Sequence, residues 1–188
     1  MIKLTDLLGE VEKQQYTIYC DMDGVLVDFD KGYANITGIE THHANLQGNR
    51  KFWDILRKKL EEKEISEKEF WATLPKKTGC DELWSYISQY NCYILTAPST
   101  SPESREGKIE WVKNNLSPQP IEIIFKNSGE KHEVLNDKTE EEKQKSILID
   151  DFYKKNVKPF KDNGGYSIYY SSNMTASTVI KQLKKLVS

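Results

Sequence analysis

Asp21-Met22-Asp23-Gly24 follows directly on the apolar run Tyr16–Cys20. Two carboxylates, one residue apart, stand at the end of a predicted buried strand. In a strand, residues i and i+2 point to the same side, and Gly24 lets the chain turn sharply away. Asp21 and Asp23 would therefore crowd one small volume at a strand tip. Like charges that close are costly unless a cation binds or one carboxylate is protonated. The pair predicts a hard divalent cation with oxygen ligands, Mg²⁺. The competing reading is a solvated acidic turn after an edge strand.

Two other apolar runs end in the same way. Ser146–Ile149 runs into Asp150-Asp151, and Tyr93–Leu95 into Thr96-Ala97-Pro98-Ser99. In open parallel sheets, sites form outside the carboxyl ends of the strands. Such a sheet would deliver Asp21, Asp23, Asp150, Asp151 and the Thr96 hydroxyl to one place. Taken alone, Asp150-Asp151 reads equally well as a solvated turn, and Thr96 as a turn-capping residue.

The elements that must position these residues alternate along the chain. Strands are predicted at 16–20, 92–95, 121–125, 146–150 and 166–170, and helices at 81–90, 102–116, 153–162 and 175–187. Ser101 reads as a helix cap with Pro102 in the first turn, and Asn163-Gly164-Gly165 as a helix stop. Val179, Leu183, Leu186 and Val187 form one apolar stripe. Such alternation predicts an α/β fold whose parallel sheet is covered on both faces. Between Phe29 and Leu74 the alternation breaks. Helical stretches stand there instead, at about 30–38, 50–63 and 66–73, the last with a capping-box pattern at Ser66–Glu69. An insert after the first strand would sit above the strand tips and could exclude water. The expected division is a core of 1–29 and 75–188 and a helical cap of 30–74. The charged run Asn136–Lys145 reads as an exposed helix or loop.

A chain of 188 residues with a formal charge of −2 suits one domain plus a modest insert. The lysines are interspersed with acids, so no nucleic-acid groove is indicated. No stretch is long or apolar enough to span a membrane. Met1–Leu8 lacks the apolar core of a signal peptide and reads as a short edge helix. Cys20, Cys80 and Cys92 have no paired spacing, which fits reduced thiols and a cytoplasmic setting. The sequons at Asn35 and Asn173 mean little without secretion. His42-His43 reads as a polar cap loop without a third ligand. The sequence leaves a monomer and a homodimer both open.

Asp-Met-Asp-Gly-Val-Leu-Val-Asp at 21–28, then Thr96, a later lysine and Asp150-Asp151, resembles the four-motif order of the haloacid dehalogenase-like phosphatases. Asp21–Phe29, Leu95–Pro98, Lys108-Ile-Glu-Trp111-Val112 and Leu148–Asp151 are more closely similar to the 5′(3′)-deoxyribonucleotidases. The resemblance spans roughly Tyr16 to Tyr170. It implies a Rossmann-like, doubly wound sheet with a small cap after the first strand. It also implies a Mg²⁺-dependent phosphatase of (deoxy)ribonucleoside monophosphates. Asp21 would be nucleophile and metal ligand, forming an aspartyl-phosphate. Asp23 would act as general acid and base and bind the metal through its main-chain carbonyl. Thr96 would hold a phosphoryl oxygen, Asp151 would bind the metal, and Asp150 would orient the cluster. The phosphate lysine is Lys126 or Lys131. Lys131 is favoured, because it would open a helix, where anions bind.

Phe29, Phe52 and Trp53 match places where these nucleotidases present rings to a base. Their alternative role is the cap's own core, the role favoured for Phe70 and Trp71. Ala97 stands where many members carry Ser, losing one hydroxyl contact to phosphate while keeping the amide. The remaining readings are a phosphatase of sugar phosphates or nucleic-acid ends, a phospho-acceptor domain, and a binding module. The position of the acidic pair on the first strand, followed by a cap, argues against a phospho-acceptor domain.

Overall fold

The computed structural model describes residues 15–40 and 50–187. The expected edge helix at Met1–Leu8 and the His42-His43 loop lie outside the described residues.

The first element among the described residues is strand β1 (Thr17–Cys20), the centre of the sheet. Among the described residues three helices follow before the next strand: α1 (Phe29–Thr37), α2 (Arg50–Glu62) and α3 (Glu67–Ala72). A fourth helix, α4 (Cys80–Ile87), leads into β2 (Asn91–Thr96), followed by α5 (Glu103–Asn115) and β3 (Ile123–Phe125). A 3₁₀ turn (Lys131–Leu135) and helix α6 (Glu140–Gln144) lead into β4 (Ser146–Asp150). A π-helical turn (Tyr153–Val157), α7 (Lys158–Asp162), β5 (Tyr166–Tyr169) and α8 (Ala176–Leu186) complete the chain. The strands pair in the order β3-β2-β1-β4-β5, all parallel. This is an α/β, Rossmann-like sheet with a helical insert after its first strand.

β1 and β4 are apolar without alternation because both faces are covered. Ile18, Cys20, Ile94, Ile147 and Ile149 belong to the larger core, with Trp111 and Val112 of α5. Tyr19, Leu95 and Leu148 face the smaller core, with Leu135 and Phe160. Cys20, Cys80 and Cys92 are buried free thiols.

Some local expectations shift. β3 is shorter than 121–125, and Ile121 is exposed, as an edge position permits. The expected helix at 153–162 opens as a π turn before Pro159, which has no N–H to give. Helical backbone begins at Pro102 rather than after a Ser101 cap, although Ser101 Oγ accepts from Glu103 N at 3.2 Å. The run at 136–145 holds α6, closed by a capping box between Thr139 and Glu142.

The insert joins the core through paired backbone. Asp28 N donates to Pro75 O and Lys77 N to Leu26 O, both at 2.9 Å. Inside the insert, Tyr33 and Phe52 stack with centroids 4.1 Å apart. α3 lies directly on α5, where Gly107 permits the approach. A Cβ there would fall 2.4 Å from Lys68 O and 2.5 Å from Trp71 Cβ. Trp111 Nε1 donates to Leu74 O at 2.7 Å, fastening the end of the insert to the same helix.

Candidate active site

Strand register brings the acidic residues together. Cys20 is level with Ile149, so Asp21 is level with Asp150 and leaves the sheet on the same face. Asp21 N donates to Ile149 O at 2.9 Å, extending the pairing into the site. Beyond it the chain folds tightly around one carbonyl. Met22 O accepts from Val25, Leu26 and Val27, while Gly24 adopts φ 75°. That left-handed conformation favours glycine, and it turns the chain away after Asp23.

Asp21, Asp150 and Asp151 each offer a carboxylate oxygen within 4.8 Å of the others. Asp150 is fully buried and held on both oxygens. Phe152 N donates to Oδ1 at 2.8 Å, and Asn156 Nδ2 reaches both oxygens at 3.0 Å. Asn156 also accepts from Gly129 N at 3.0 Å, tying β4 to the loop that precedes Lys131. Asp150 therefore stands among the acids of the cluster as well as behind them.

Lys131 and Lys126 separate clearly. Lys131 is 1 % exposed, with Nζ 2.7 Å from Asp21 Oδ1 and 2.7 Å from Asp150 Oδ2. Desolvation pulls its pKa down, but the Asp150 and Asp21 charges outweigh that and hold it above the ordinary lysine value. Burial pushes Asp150 up to about 6, against the pull of Lys131. Lys126 instead pairs with Glu133 at 2.8 Å on the surface. Lys131 opens a five-residue 3₁₀ turn, not the helix expected from the sequence.

A second buried lysine lies on the other side of the sheet. Lys108 of α5 is fully buried. Its Nζ donates to Asp23 Oδ2 at 2.5 Å, Thr96 Oγ1 at 2.9 Å and Ala97 O at 2.8 Å. It also lies 4.6 Å from the centroid of the Trp71 ring, in the insert. Lys131 reaches the site from the side of the smaller core and Lys108 from that of the larger. Asp23 Oδ1 is buried and has no hydrogen-bond partner among the described residues. Buried polar atoms are seldom left so, and this one stands where a proton or a ligand would satisfy it.

Lys108 and Asn156 were not singled out as site residues from the sequence. For Lys108 a signal existed. Ser104, Gly107, Lys108, Trp111 and Val112 form the buried stripe of α5, so a lysine occupies an apolar position. Asn156 lies in the π turn, whose spacing carries no regular pattern.

A cleft of about 440 Å³ opens between insert and core, lined in part by Asp23, Trp53, Trp71, Ala97 and Ser128. The aromatic expectation divides here. Trp53 reaches the cleft, whereas Phe29 and Phe52 are 2 % and 5 % exposed and lie beneath it. Phe29 packs 5.9 Å from Trp53 and 5.4 Å from Trp71, and Phe52 packs 5.1 Å from Trp53. Trp71, expected as cap core alone, is both buried and part of the cleft wall. Ser128 Oγ is buried there with no hydrogen-bond partner among the described residues.

No sequence-family profile and no curated protein matches this chain. Solved structures do match its fold. A haloacid dehalogenase-like hydrolase from Xanthomonas campestris superposes with a TM-score of 0.61 at 15 % identity, covering 91 % of this chain and 95 % of that one. A haloacid dehalogenase-family enzyme from Bacteroides thetaiotaomicron, in complex with magnesium and inorganic phosphate, gives 0.51 at 17 %, over 87 % and 98 %. A superfamily hydrolase of subfamily IA from Geobacter sulfurreducens gives 0.55 at 12 %, over 89 % and 96 %. The chain shares the fold of haloacid dehalogenase-like hydrolases. No helix among the described residues is long and apolar enough to cross a membrane.

Proposed function

We propose that the protein is a Mg²⁺-dependent phosphatase acting on nucleoside monophosphates, with 30–74 serving as its cap. The observation that carries the reading is the convergence of Asp21, Asp150 and Asp151 around one small volume, with buried lysines on both sides. Three carboxylate oxygens that close fit a hard divalent cation, and Asp21 and Asp151, with the Asp23 carbonyl, would hold it. When bound, the cation neutralises charge on the phosphoryl group and the acids.

The remaining roles belong to the chain. Asp21 attacks phosphorus through Oδ2, a reading supported by the contacts of Oδ1 with Met22 N and Lys131. Lys131 balances the charge that the phosphoryl oxygens bring. Asp23, with its unpartnered Oδ1, passes a proton to the leaving alcohol and later takes one from water. Lys108 fixes the Asp23 carboxylate and the Thr96 hydroxyl relative to each other. The Ala97 amide and the Ser128 hydroxyl complete the phosphate contacts. Trp53 and Trp71 form the wall against which a base stacks, while Phe29 and Phe52 brace them.

A panel of nucleoside 5′- and 3′-monophosphates and sugar phosphates, assayed for phosphate release with Mg²⁺ or EDTA, tests this. Mg²⁺-dependent release from nucleotides is the expected result. Release from sugar phosphates alone would remove the nucleotide assignment, and no release from any ester would remove the phosphatase assignment.

A further inference from the structure

The cleft is much larger than a phosphate group, and its charges are unevenly placed. Among its described lining residues Asp23 is the one acid, and Lys108 already meets it. Three further cations line the same space: Arg50 and Arg57 from α2 and Lys155 from the core. Arg50 and Arg57 are seven residues apart, on one face of the helix. The acids beside Arg57 do not line the cleft. Asp54 lies 3.3 Å from Nη1 and Glu67 3.7 Å from Nε, which leaves Nη2 clear of both contacts. Glu67 belongs to α3, so the guanidinium is held between two helices of the insert. Lysines 131 and 108, in contrast, are committed to the acids at the strand tips.

We infer that the cleft is built for a phosphate ester whose organic body carries a second phosphoryl group. The scissile phosphate would lie at Asp21, the body against Trp53 and Trp71, and the distal phosphate against Arg50, Arg57 and Lys155. The inference rests on the phosphatase reading and departs from its monophosphate substrate by adding a second phosphoryl group to the organic body. Guanidinium groups suit this role because their planar fork matches phosphate oxygens. Arg50 Nε lies 3.9 Å from Asp54 Oδ2, a loose and exposed pair that a phosphate can displace, and cations on both walls let the ligand bridge insert and core.

The test separates affinity from turnover. Thymidine and adenosine 5′-monophosphates, the matching 3′,5′-bisphosphates, glucose 6-phosphate and glucose 1,6-bisphosphate are titrated calorimetrically into Asp21→Asn protein with Mg²⁺. At least one bisphosphate should bind about tenfold tighter than its monophosphate, as one partly exposed charge-assisted contact gives. The nucleoside and sugar pairs show which body the walls accept. In the Asp21→Asn background, Arg57→Ala and Arg50→Ala should each bring that ratio toward one. The Arg50 side chain is 95 % exposed, so its variant decides the matter should Arg57→Ala fail to fold. Equal affinities for every pair, no bisphosphate binding, or a ratio that survives both substitutions would overturn the inference. Failure of the phosphatase reading shows separately, as no phosphate release from any of these esters by the wild-type protein.

Discussion

Replacing Lys108 by Met keeps the length of a buried side chain and deletes its charge. Three contacts are lost together, to Asp23 Oδ2 at 2.5 Å, Thr96 Oγ1 at 2.9 Å and Ala97 O at 2.8 Å. A hydrogen bond to a charged group is worth ~1.5–3 kcal/mol, and contacts sharing one donor do not add. Asp23 keeps some solvent, its side chain being 19 % exposed, which lowers the cost of leaving it unpaired. A loss of ~3 kcal/mol in transition-state stabilisation corresponds to roughly 100-fold in kcat. The same energy taken from the folded state of a chain this size would lower Tm by about 6–12 °C. Fixing Asp23 matters most when the leaving group needs a proton. An alkyl phosphate should therefore lose ~100-fold, whereas p-nitrophenyl phosphate, whose leaving group needs little help, should lose tenfold or less. Steady-state kcat on both esters, with a thermal melt alongside, reads this out. Equal losses on the two esters would refute the positioning role and leave Lys108 as a structural cation only.

Lys131→Ala should lower kcat/KM on p-nitrophenyl phosphate by more than ~100-fold, since a buried cation facing phosphate is worth a few kcal/mol. Lys126→Ala, which breaks a surface pair with Glu133, should stay within about threefold. Trp53→Ala should raise KM for the preferred nucleotide roughly tenfold, the usual worth of one stacked base. Phe52→Ala, which removes a ring stacked on Tyr33, should instead cost ~3–5 kcal/mol of stability and harm all substrates together, read by melts and kinetics. Gly107→Ala should push α3 off α5, because its Cβ would lie 2.4 Å from Lys68 O, and urea unfolding should show a loss of ~1–3 kcal/mol.

Much of this architecture is legible in the sequence because its signals are local. Apolar runs too short for helices mark β1, β2, β4 and β5, and the acids that end β1 and β4, with Thr96 at the end of β2, mark the site. The gap in that rhythm marks the insert, whose helices fall at 29–37, 50–62 and 67–72, close to the predicted ranges. Long-range geometry was hidden. Only register places Asp150 level with Asp21, and with it the reach of Lys131 to both carboxylates. Lys108 lies on a helix before β3, outside the stretch after β3 where the motif order places the phosphate lysine. Phe29, Phe52 and Trp53 look alike as aromatic residues near the cap. Helical rotation separates Trp53, at the cleft, from Phe52 beneath it, and no composition argument can do that.

In the proposed reaction Asp21 carries the phosphoryl group during turnover. Wild-type protein is mixed with Mg²⁺ and p-nitrophenyl phosphate, quenched in acid during turnover, digested and analysed by mass spectrometry. A phosphoryl adduct should appear on the peptide containing Asp21. It should be absent when EDTA replaces Mg²⁺, and Asp21→Asn protein should neither form it nor release phosphate. Phosphate release by the wild type with no adduct at Asp21, together with sustained activity in Asp21→Asn, would contradict the account.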